Sequence, residues 1–220
     1  MLPISRIMSL ILRRHGKWGF LSKIDHNDTI LDVGCGNESP QKTKIQIPNC
    51  HYTGIDVVEQ DENPIRHYDR LIISQPENFH KEIELLQEEY DAVISSHNLE
   101  HCNDRWGTLE SMASKVKLGG SIFLAFPSEE SVNFPSRDIG CLNYYDNKEH
   151  LETPPDFSRV VNTLIDNGFE ITFSKKRYRP NFLWFLGFFT DKFHRANNKV
   201  GFCTWEYFGF ESIIWAKRVA

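Results

Sequence analysis

Two glycines and two carboxylates have a spacing that fits recognition of a nucleoside. Gly34 and Gly36 directly follow the short apolar segment 30–33, and Asp32 lies within that segment. Glycines at alternate positions let the backbone turn tightly and let a ligand approach where a Cβ would collide. Asp56 ends a second apolar run twenty residues beyond Gly36. An acid at that offset in nucleotide-binding α/β domains accepts hydrogen bonds from ribose hydroxyls.

The same turn lacks the features that bind a diphosphate. Gly34 and Gly36 are followed by Asn37, Glu38 and Ser39, so the third glycine of a G-x-G-x-x-G fingerprint is missing. No Gly-Lys-Ser or Gly-Lys-Thr sequence follows the turn, which argues against a P-loop, and Glu38 would repel a pyrophosphate. These absences favour a nucleoside without a diphosphate over a nicotinamide dinucleotide.

Four segments in order resemble the motifs of the class I S-adenosylmethionine-dependent methyltransferases. Segment 30–36 resembles the first motif, and Asp56 matches the ribose-binding acid. Segment 91–101, which ends in Leu-Glu-His, resembles the fourth-strand motif of the subgroup with that signature. Segment 118–127 resembles the glycine turn and fifth strand of the subgroup, although its turn has no proline.

The resemblance implies an α/β, Rossmann-like fold with a seven-stranded, mostly parallel sheet and helices on both faces. Because the chain has no internal repeat and no linker, a single domain is expected over residues 1–220, with an aromatic-rich insertion around 178–210. The resemblance also implies S-adenosyl-L-methionine as the cofactor. The residues that it predicts at the cofactor are Asp32, Gly34, Cys35, Gly36, Asp56, Val57, Ser74, Gln75, His97 and Asn98.

Methyl transfer from a sulfonium needs in-line alignment of the acceptor, and a hydroxyl acceptor also needs a base. Such groups are expected at the carboxyl ends of the fourth and fifth strands. His101 lies just beyond the fourth strand, where it is either a base or a residue that fixes the loop. Segment 128–153 has no helical periodicity, and a loop of that length is usually functional. It carries His150 and Asp146, the preferred candidates for the base.

The same loop offers candidates for binding the acceptor. Tyr144 and Tyr145 supply a binding face, and Arg137 could hold an anionic group. The alternatives are that the tyrosines pack beneath the loop and that Arg137 forms an ion pair.

Several elements are predicted to position these residues. A strand is expected over 68–74 with residues 71–73 buried, followed by a helix from Pro76 whose inner stripe reaches Tyr90. Asp104 is expected to cap a helix that ends at Gly119. A helix is expected between Asp156 and Gly168, then strands over 169–173 and 212–217, the last of them antiparallel. A helix over 4–12 either covers the cofactor site or packs on the sheet.

Composition limits the classes of function. The chain has 220 residues and a net charge of −5, which argues against broad nucleic-acid binding. Its five cysteines are scattered without a C-x-x-C pair, which suits a reducing cytoplasm and predicts no zinc site. The amino terminus lacks the order of charges of an export signal. The longest apolar run, near residues 182–189, is shorter than the ~20 residues of a membrane span.

The aromatic segment 178–210 follows a basic run at 175–179. That combination suits contact with an anionic membrane surface or with a lipid-linked acceptor. Core packing or a homodimer interface would explain the same residues.

The resemblance over the chain points to bacterial methyltransferases of cell-surface glycans, and therefore to the hydroxyl of a sugar or of another small or lipid-linked acceptor. The alternatives are a quinone, lipid or other small-molecule methyltransferase, a nicotinamide oxidoreductase, and a non-catalytic nucleoside-binding scaffold of the same fold.

Overall fold

The computed structural model describes residues 13–57 and 67–220. The helix predicted over 4–12 lies outside the described residues. Within them, seven strands form one sheet in the order β3-β2-β1-β4-β5-β7-β6. The strands are β1 Thr29–Val33, β2 His51–Asp56, β3 Arg70–Ile73, β4 Tyr90–Ser96, β5 Val116–Pro127, β6 Phe169–Lys175 and β7 Glu211–Arg218. Strand β7 runs antiparallel to β5 and β6, whereas β1 to β5 pair in parallel.

Helices flank this sheet and cover the apolar side chains that alternate along its strands. They are α1 Lys17–Leu21, α2 Ser39–Gln46, α3 Phe79–Glu84, α4 Arg105–Ser114, α5 Phe157–Asp166, α6 Asn181–Ala196 and α7 Thr204–Phe208. Single 3-10 turns lie at Pro76–Asn78, Leu99–His101, Glu129–Asn133 and Tyr144–Asp146. The Rossmann-like methyltransferase fold predicted from the sequence is therefore confirmed.

Two apolar cores form because successive side chains of a strand point to opposite faces. In β1, Leu31 and Val33 join the core beneath α3, α4 and α5, whereas Ile30 joins the core that contains Phe20 and Leu21 of α1. Burying both faces explains why the parallel strands are continuous apolar runs in the sequence.

The predicted helix caps are correct. Asp104 begins α4 by accepting the Gly107 N–H at 2.9 Å, and Asp156 begins α5 by accepting the Arg159 N–H at 2.7 Å. Gly168 follows α5 with a φ of +81°, which only glycine adopts readily.

Two predicted boundaries and one predicted burial are wrong. Helix α4 ends at Ser114 rather than Gly119, because Val116 already pairs with Tyr90 and begins β5. Tyr90 accordingly begins β4 and is not part of the buried face of α3. Ile73 is 41% exposed rather than buried, because β3 is the edge of the described sheet.

The aromatic segment folds as a pair of packed helices. Leu183, Gly187 and Asp191 form the buried face of α6. At Gly187 an added Cβ would lie 2.5 Å from the Cys203 carbonyl oxygen and from Tyr207, so glycine permits the close approach of α7. The opposite face of α6 remains exposed.

Candidate functional site

The glycine turn and Asp56 meet at one edge of the sheet. Strands β1 and β2 run in parallel with Val33 beside Ile55, so the turn after β1 lies next to the end of β2. Asp56 accepts the Gly36 N–H through Oδ2 at 2.7 Å and the Val57 N–H through Oδ1 at 2.7 Å. These bonds orient the carboxylate beside the turn, as the spacing predicts.

Position 34 requires glycine for two reasons, its backbone conformation and the closeness of a neighbouring side chain. Its φ of +73° lies in the left-handed region, and a Cβ would lie 2.5 Å from Cγ of Asn98. The absence of a side chain therefore lets Asn98, which follows β4, close over the turn that follows β1.

A cleft of about 400 Å³ opens at these strand ends. This volume is within the roughly 300–1,000 Å³ typical of small-ligand sites. Its lining combines the glycine turn with apolar and polar side chains: Gly34, Gly36, Asp56, Val57, Pro76, Phe79, His97, Asn98, His101, Cys102 and Glu149. The cleft thus has room and contacts for a nucleoside.

The sequence did not predict Pro76 and Phe79 in this cleft. It predicted Ser74 and Gln75, but Ser74 is buried and donates its hydroxyl to the Gln75 carbonyl at 3.0 Å. The position of Pro76 could have been predicted, because it lies just beyond Ser74 and Gln75 at the end of β3, and the carboxyl ends of neighbouring parallel strands lie together.

Asp32 lies fully buried beneath the turn. Its Oδ2 accepts Lys17 Nζ at 3.0 Å, the Tyr52 hydroxyl at 2.7 Å and the Ser39 hydroxyl. Burial and the charge of Asp32 raise the pKa of Tyr52 well above its usual value, which keeps Tyr52 a donor. This geometry favours support of the turn over the predicted direct contact with a cofactor. Cys35 is likewise buried in the core.

His97 lies between two carboxylates in a chain of alternating charges. Its Nδ1 lies 3.1 Å from Glu100 and its Nε2 lies 2.9 Å from Glu211, which also pairs with Arg13. Burial by itself lowers the pKa of His97, but hydrogen bonds to Glu100 and Glu211 and their charges raise it to about 10. Burial by itself raises the pKa of Glu211, but Arg13 and His97 lower it to about 2. His97 is therefore a fixed cation at the wall of the cleft.

His101 and His150, predicted from distant segments, come together beside the cleft. Their ring centroids lie 4.9 Å apart. His101 Nδ1 lies 3.1 Å from the Glu149 carbonyl oxygen, and His150 Nδ1 lies 2.6 Å from that of Tyr144. Each ring is thus held by its Nδ1–H, which leaves a lone pair on Nε2. Burial lowers the pKa of His150, which favours the neutral imidazole.

Asp146 lies in the same loop but organises its backbone. Its carboxylate accepts the Ser136 hydroxyl and the N–H groups of Arg137, Leu142 and Asn143. Burial by itself raises the pKa of Asp146, but these donors lower it. The geometry favours a structural role over the predicted role of base.

The predicted acceptor residues separate in the structure. Tyr144 is fully buried and donates to the Leu151 carbonyl at 3.1 Å, whereas Tyr145 is 60% exposed. Arg137 is buried and lies 3.4 Å from Asp191 of α6, so it joins the loop to that helix. The packing and ion-pair alternatives describe Tyr144 and Arg137 better than contact with an acceptor.

Arg105, which the sequence did not single out, holds the loop against the Leu99–His101 turn. Its guanidinium donates to the carbonyls of Leu99, Leu151 and Thr153 at 2.8–3.1 Å. The Leu151 N–H also donates to the Glu100 carbonyl at 2.9 Å. These bonds explain how His150 reaches His101.

Comparison with known proteins decides the family. Residues 5–171, more than half of the chain, match a family described as a methyltransferase domain. The chain belongs to this methyltransferase family. Membership confirms the prediction of S-adenosyl-L-methionine as the cofactor.

The sequence match to an individual protein covers only part of the chain. The chain is 36% identical over 112 residues to the uncharacterized protein MJ0906 of Methanocaldococcus jannaschii, a match over 47% of this chain and 29% of that protein. It therefore spans less than a third of the length of that relative.

Solved structures share the fold. An S-adenosylmethionine-dependent methyltransferase from Mesorhizobium loti superposes with a TM-score of 0.63 at 13% identity, covering 94% of this chain and 100% of the other. The protein solved with the Trm112 methyltransferase activator of Haloferax volcanii has a TM-score of 0.64 at 14% identity, covering 98% and 94%.

Proposed function

We propose that this chain transfers the methyl group of S-adenosylmethionine to a hydroxyl of a sugar or of another small or lipid-linked acceptor. The observation that carries the proposal is the cleft in which the Gly34–Gly36 turn and Asp56 meet the end of β4. The lining of the cleft also includes His101 and Glu149, polar groups suited to a hydroxyl-bearing acceptor.

The residues of the cleft fit the parts of the cofactor. Asp56 can accept hydrogen bonds from the ribose hydroxyls, and Val57, Pro76 and Phe79 offer apolar surface to the adenine. The glycine turn admits the methionine end without a Cβ. When bound, the cofactor supplies a methyl group on a positively charged sulfur with a good leaving group.

The remaining task of the chain is to hold the acceptor in line and to help remove its proton. His101 and His150 present Nε2 lone pairs near the cleft, whereas the carboxylate of Asp146 is occupied by four donors. The two histidines are therefore the better of the predicted candidates. A quinone or lipid acceptor would require a more apolar lining where the cleft holds the acceptor.

Calorimetric titration with S-adenosylhomocysteine tests the proposal. We expect binding of one molecule per chain, with NADH binding weakly because the turn lacks a diphosphate site. Methyl transfer from labelled cofactor to a panel of sugars, phenols and lipids then identifies the acceptor. Absence of S-adenosylhomocysteine binding would support the non-catalytic scaffold instead.

We also propose that the exposed face of α6 contacts an anionic membrane surface. This face carries six aromatic side chains that are 37–64% exposed: Phe182, Trp184, Phe185, Phe188, Phe189 and Phe193. Basic side chains border it, with Arg179 over Trp184 and Lys192 over Phe193. Exposed aromatic residues bordered by basic residues suit the interface of an anionic bilayer. No helix among the described residues has the length and apolar character of a membrane span.

Vesicle sedimentation tests this surface. The chain should sediment with phosphatidylserine vesicles more than with phosphatidylcholine vesicles, because the border of the face is basic. Phe185→Ser with Phe188→Ser should reduce sedimentation severalfold. Leu118→Ser is the matched control, because Leu118 is 72% exposed but lies on β5. Concentration-dependent dimerisation that the double variant abolishes, without vesicle binding, would contradict the membrane assignment.

A further inference from the structure

We propose that Glu100, His101 and His150 bind a divalent transition-metal ion at the acceptor end of the cleft. One ligand-type atom from each of these residues lies within 4.8 Å of the others. Two imidazoles and one carboxylate at such separations can converge on a single ion. The metal site stands on its own geometry, and only its role in methyl transfer rests on the proposed function.

The carboxylate of Glu100 supplies an independent observation. Glu100 is fully buried, and Oε1 is 3.1 Å from His97 Nδ1. Oε2 is also buried and has no hydrogen-bond partner among the described residues. A buried carboxylate oxygen without a partner is unfavourable, and a metal ion would satisfy it.

The two histidines are oriented as metal ligands are. Each places Nδ1 at hydrogen-bonding distance from a main-chain carbonyl, Glu149 for His101 and Tyr144 for His150. Donation from Nδ1 fixes the tautomer and leaves the Nε2 lone pair for a metal, which is the usual outer-shell arrangement of metal-binding histidines. The ring of His150 is fixed further by stacking on Tyr144 at 4.3 Å.

The backbone holds the three ligands together without the ion. Arg105 donates to the carbonyls of Leu99 and Leu151, which flank Glu100 and His150 in the sequence. The Leu151 N–H donates to the Glu100 carbonyl at 2.9 Å. The site is thus preformed by contacts between the turn after β4 and the end of the long loop.

The donor set selects the class of ion and suggests its use. Two imidazole nitrogens and one carboxylate oxygen suit Zn²⁺, Co²⁺, Mn²⁺ or Fe²⁺ better than Mg²⁺ or Ca²⁺, which prefer oxygen ligands. Three protein ligands leave a position for an acceptor hydroxyl, whose pKa the ion would lower. With their Nε2 atoms bound to the ion, His101 and His150 would serve as ligands rather than as the base. The hydroxyl proton would then pass to water, and the oxygen lone pair would form the bond to the methyl carbon. The carbon–sulfur bond breaks with its electrons remaining on sulfur.

Metal titration of the metal-free chain tests the site. Calorimetry with Zn²⁺ and absorption spectroscopy with Co²⁺ should show one strong site per chain, and Mg²⁺ should bind at least tenfold more weakly. His101→Ala and Glu100→Gln should each weaken Zn²⁺ binding at least tenfold. His26→Ala, which removes an exposed histidine elsewhere, should leave it unchanged. Zn²⁺ should also raise the Tm of the wild type but not that of His101→Ala.

The outcomes separate the metal site from the proposed function. His101 is partly exposed, so His101→Ala remains informative if Glu100→Gln fails to fold. Zn²⁺ binding that is unchanged in His101→Ala, or lost equally in His26→Ala, would overturn the site. Zn²⁺ binding without S-adenosylhomocysteine binding would keep the site and overturn only the methyltransferase role.

Discussion

His97→Ala should lower the free energy of unfolding by about 3–5 kcal/mol near neutral pH, because it leaves the buried carboxylate of Glu100 without its ion-pair partner and leaves Glu211 with Arg13 alone. Glu100 is fully buried and Glu211 is 8% exposed, and both carboxylates are held by the ring of His97. Urea unfolding measures the change. Alanine has a Cβ, as histidine does, so the backbone strain at the φ of +54° remains in the variant. The loss of stability therefore measures the contribution of the imidazole ring.

The pH dependence of this stability distinguishes a charged pair from simple packing. The pKa of His97 is raised from 6.5 to about 10, so its contribution is complete below pH 6.5 and is lost as the pH rises through about 10. The pKa of Glu211 is lowered from 4.5 to about 2, so its contribution is present above pH 4.5 and is lost as the pH falls through about 2. The difference between wild type and variant should therefore be greatest between pH 4.5 and 6.5.

Two comparisons control this experiment. His97→Gln should lose less than His97→Ala, because the amide retains a hydrogen bond but not the charge. His26→Ala, at an exposed position, should change the stability by less than about 0.5 kcal/mol. A difference between wild type and His97→Ala that stays constant from pH 4.5 to pH 10 would contradict the ion pair.

Asp56→Ala should weaken S-adenosylhomocysteine binding by about 10- to 150-fold. That range corresponds to the ~1.5–3 kcal/mol of a hydrogen bond to a charged group. Asp56 is also the acceptor of the Gly36 N–H, so the variant loses an anchor of the glycine turn along with the ribose contact. Isothermal titration calorimetry measures the dissociation constant directly.

The controls for Asp56 separate binding from folding. Asp56→Asn keeps an acceptor oxygen for the Gly36 N–H and should lose less affinity than alanine. Asp166→Ala removes an exposed acid at the end of α5 and should leave both affinity and Tm unchanged within error. Equal affinity of wild type and Asp56→Ala would remove Asp56 from the cofactor site.

Local patterns were sufficient for much of the fold. Apolar runs that end in glycine or an acid predicted β1 and β2, because strands buried on both faces must be continuously apolar. Caps such as Asp104 and Asp156 were predictable because a cap depends on residues only three positions away. The end of α4 was not, because the pairing of Val116 with Tyr90 overrides the helix signal.

The sequence by itself determined the fold class, the family and the meeting of the glycine turn with Asp56. The fold class and the family followed from the resemblance of four motifs, and the meeting of the turn with Asp56 followed from their spacing. Only the tertiary structure decided that Asp32 is buried beneath the turn and that His97 joins Glu211 from 114 residues away. It also brought His150 to Glu100 and His101. Such contacts depend on the packing of distant segments, and no local pattern in the chain encodes which of its nine histidines will meet.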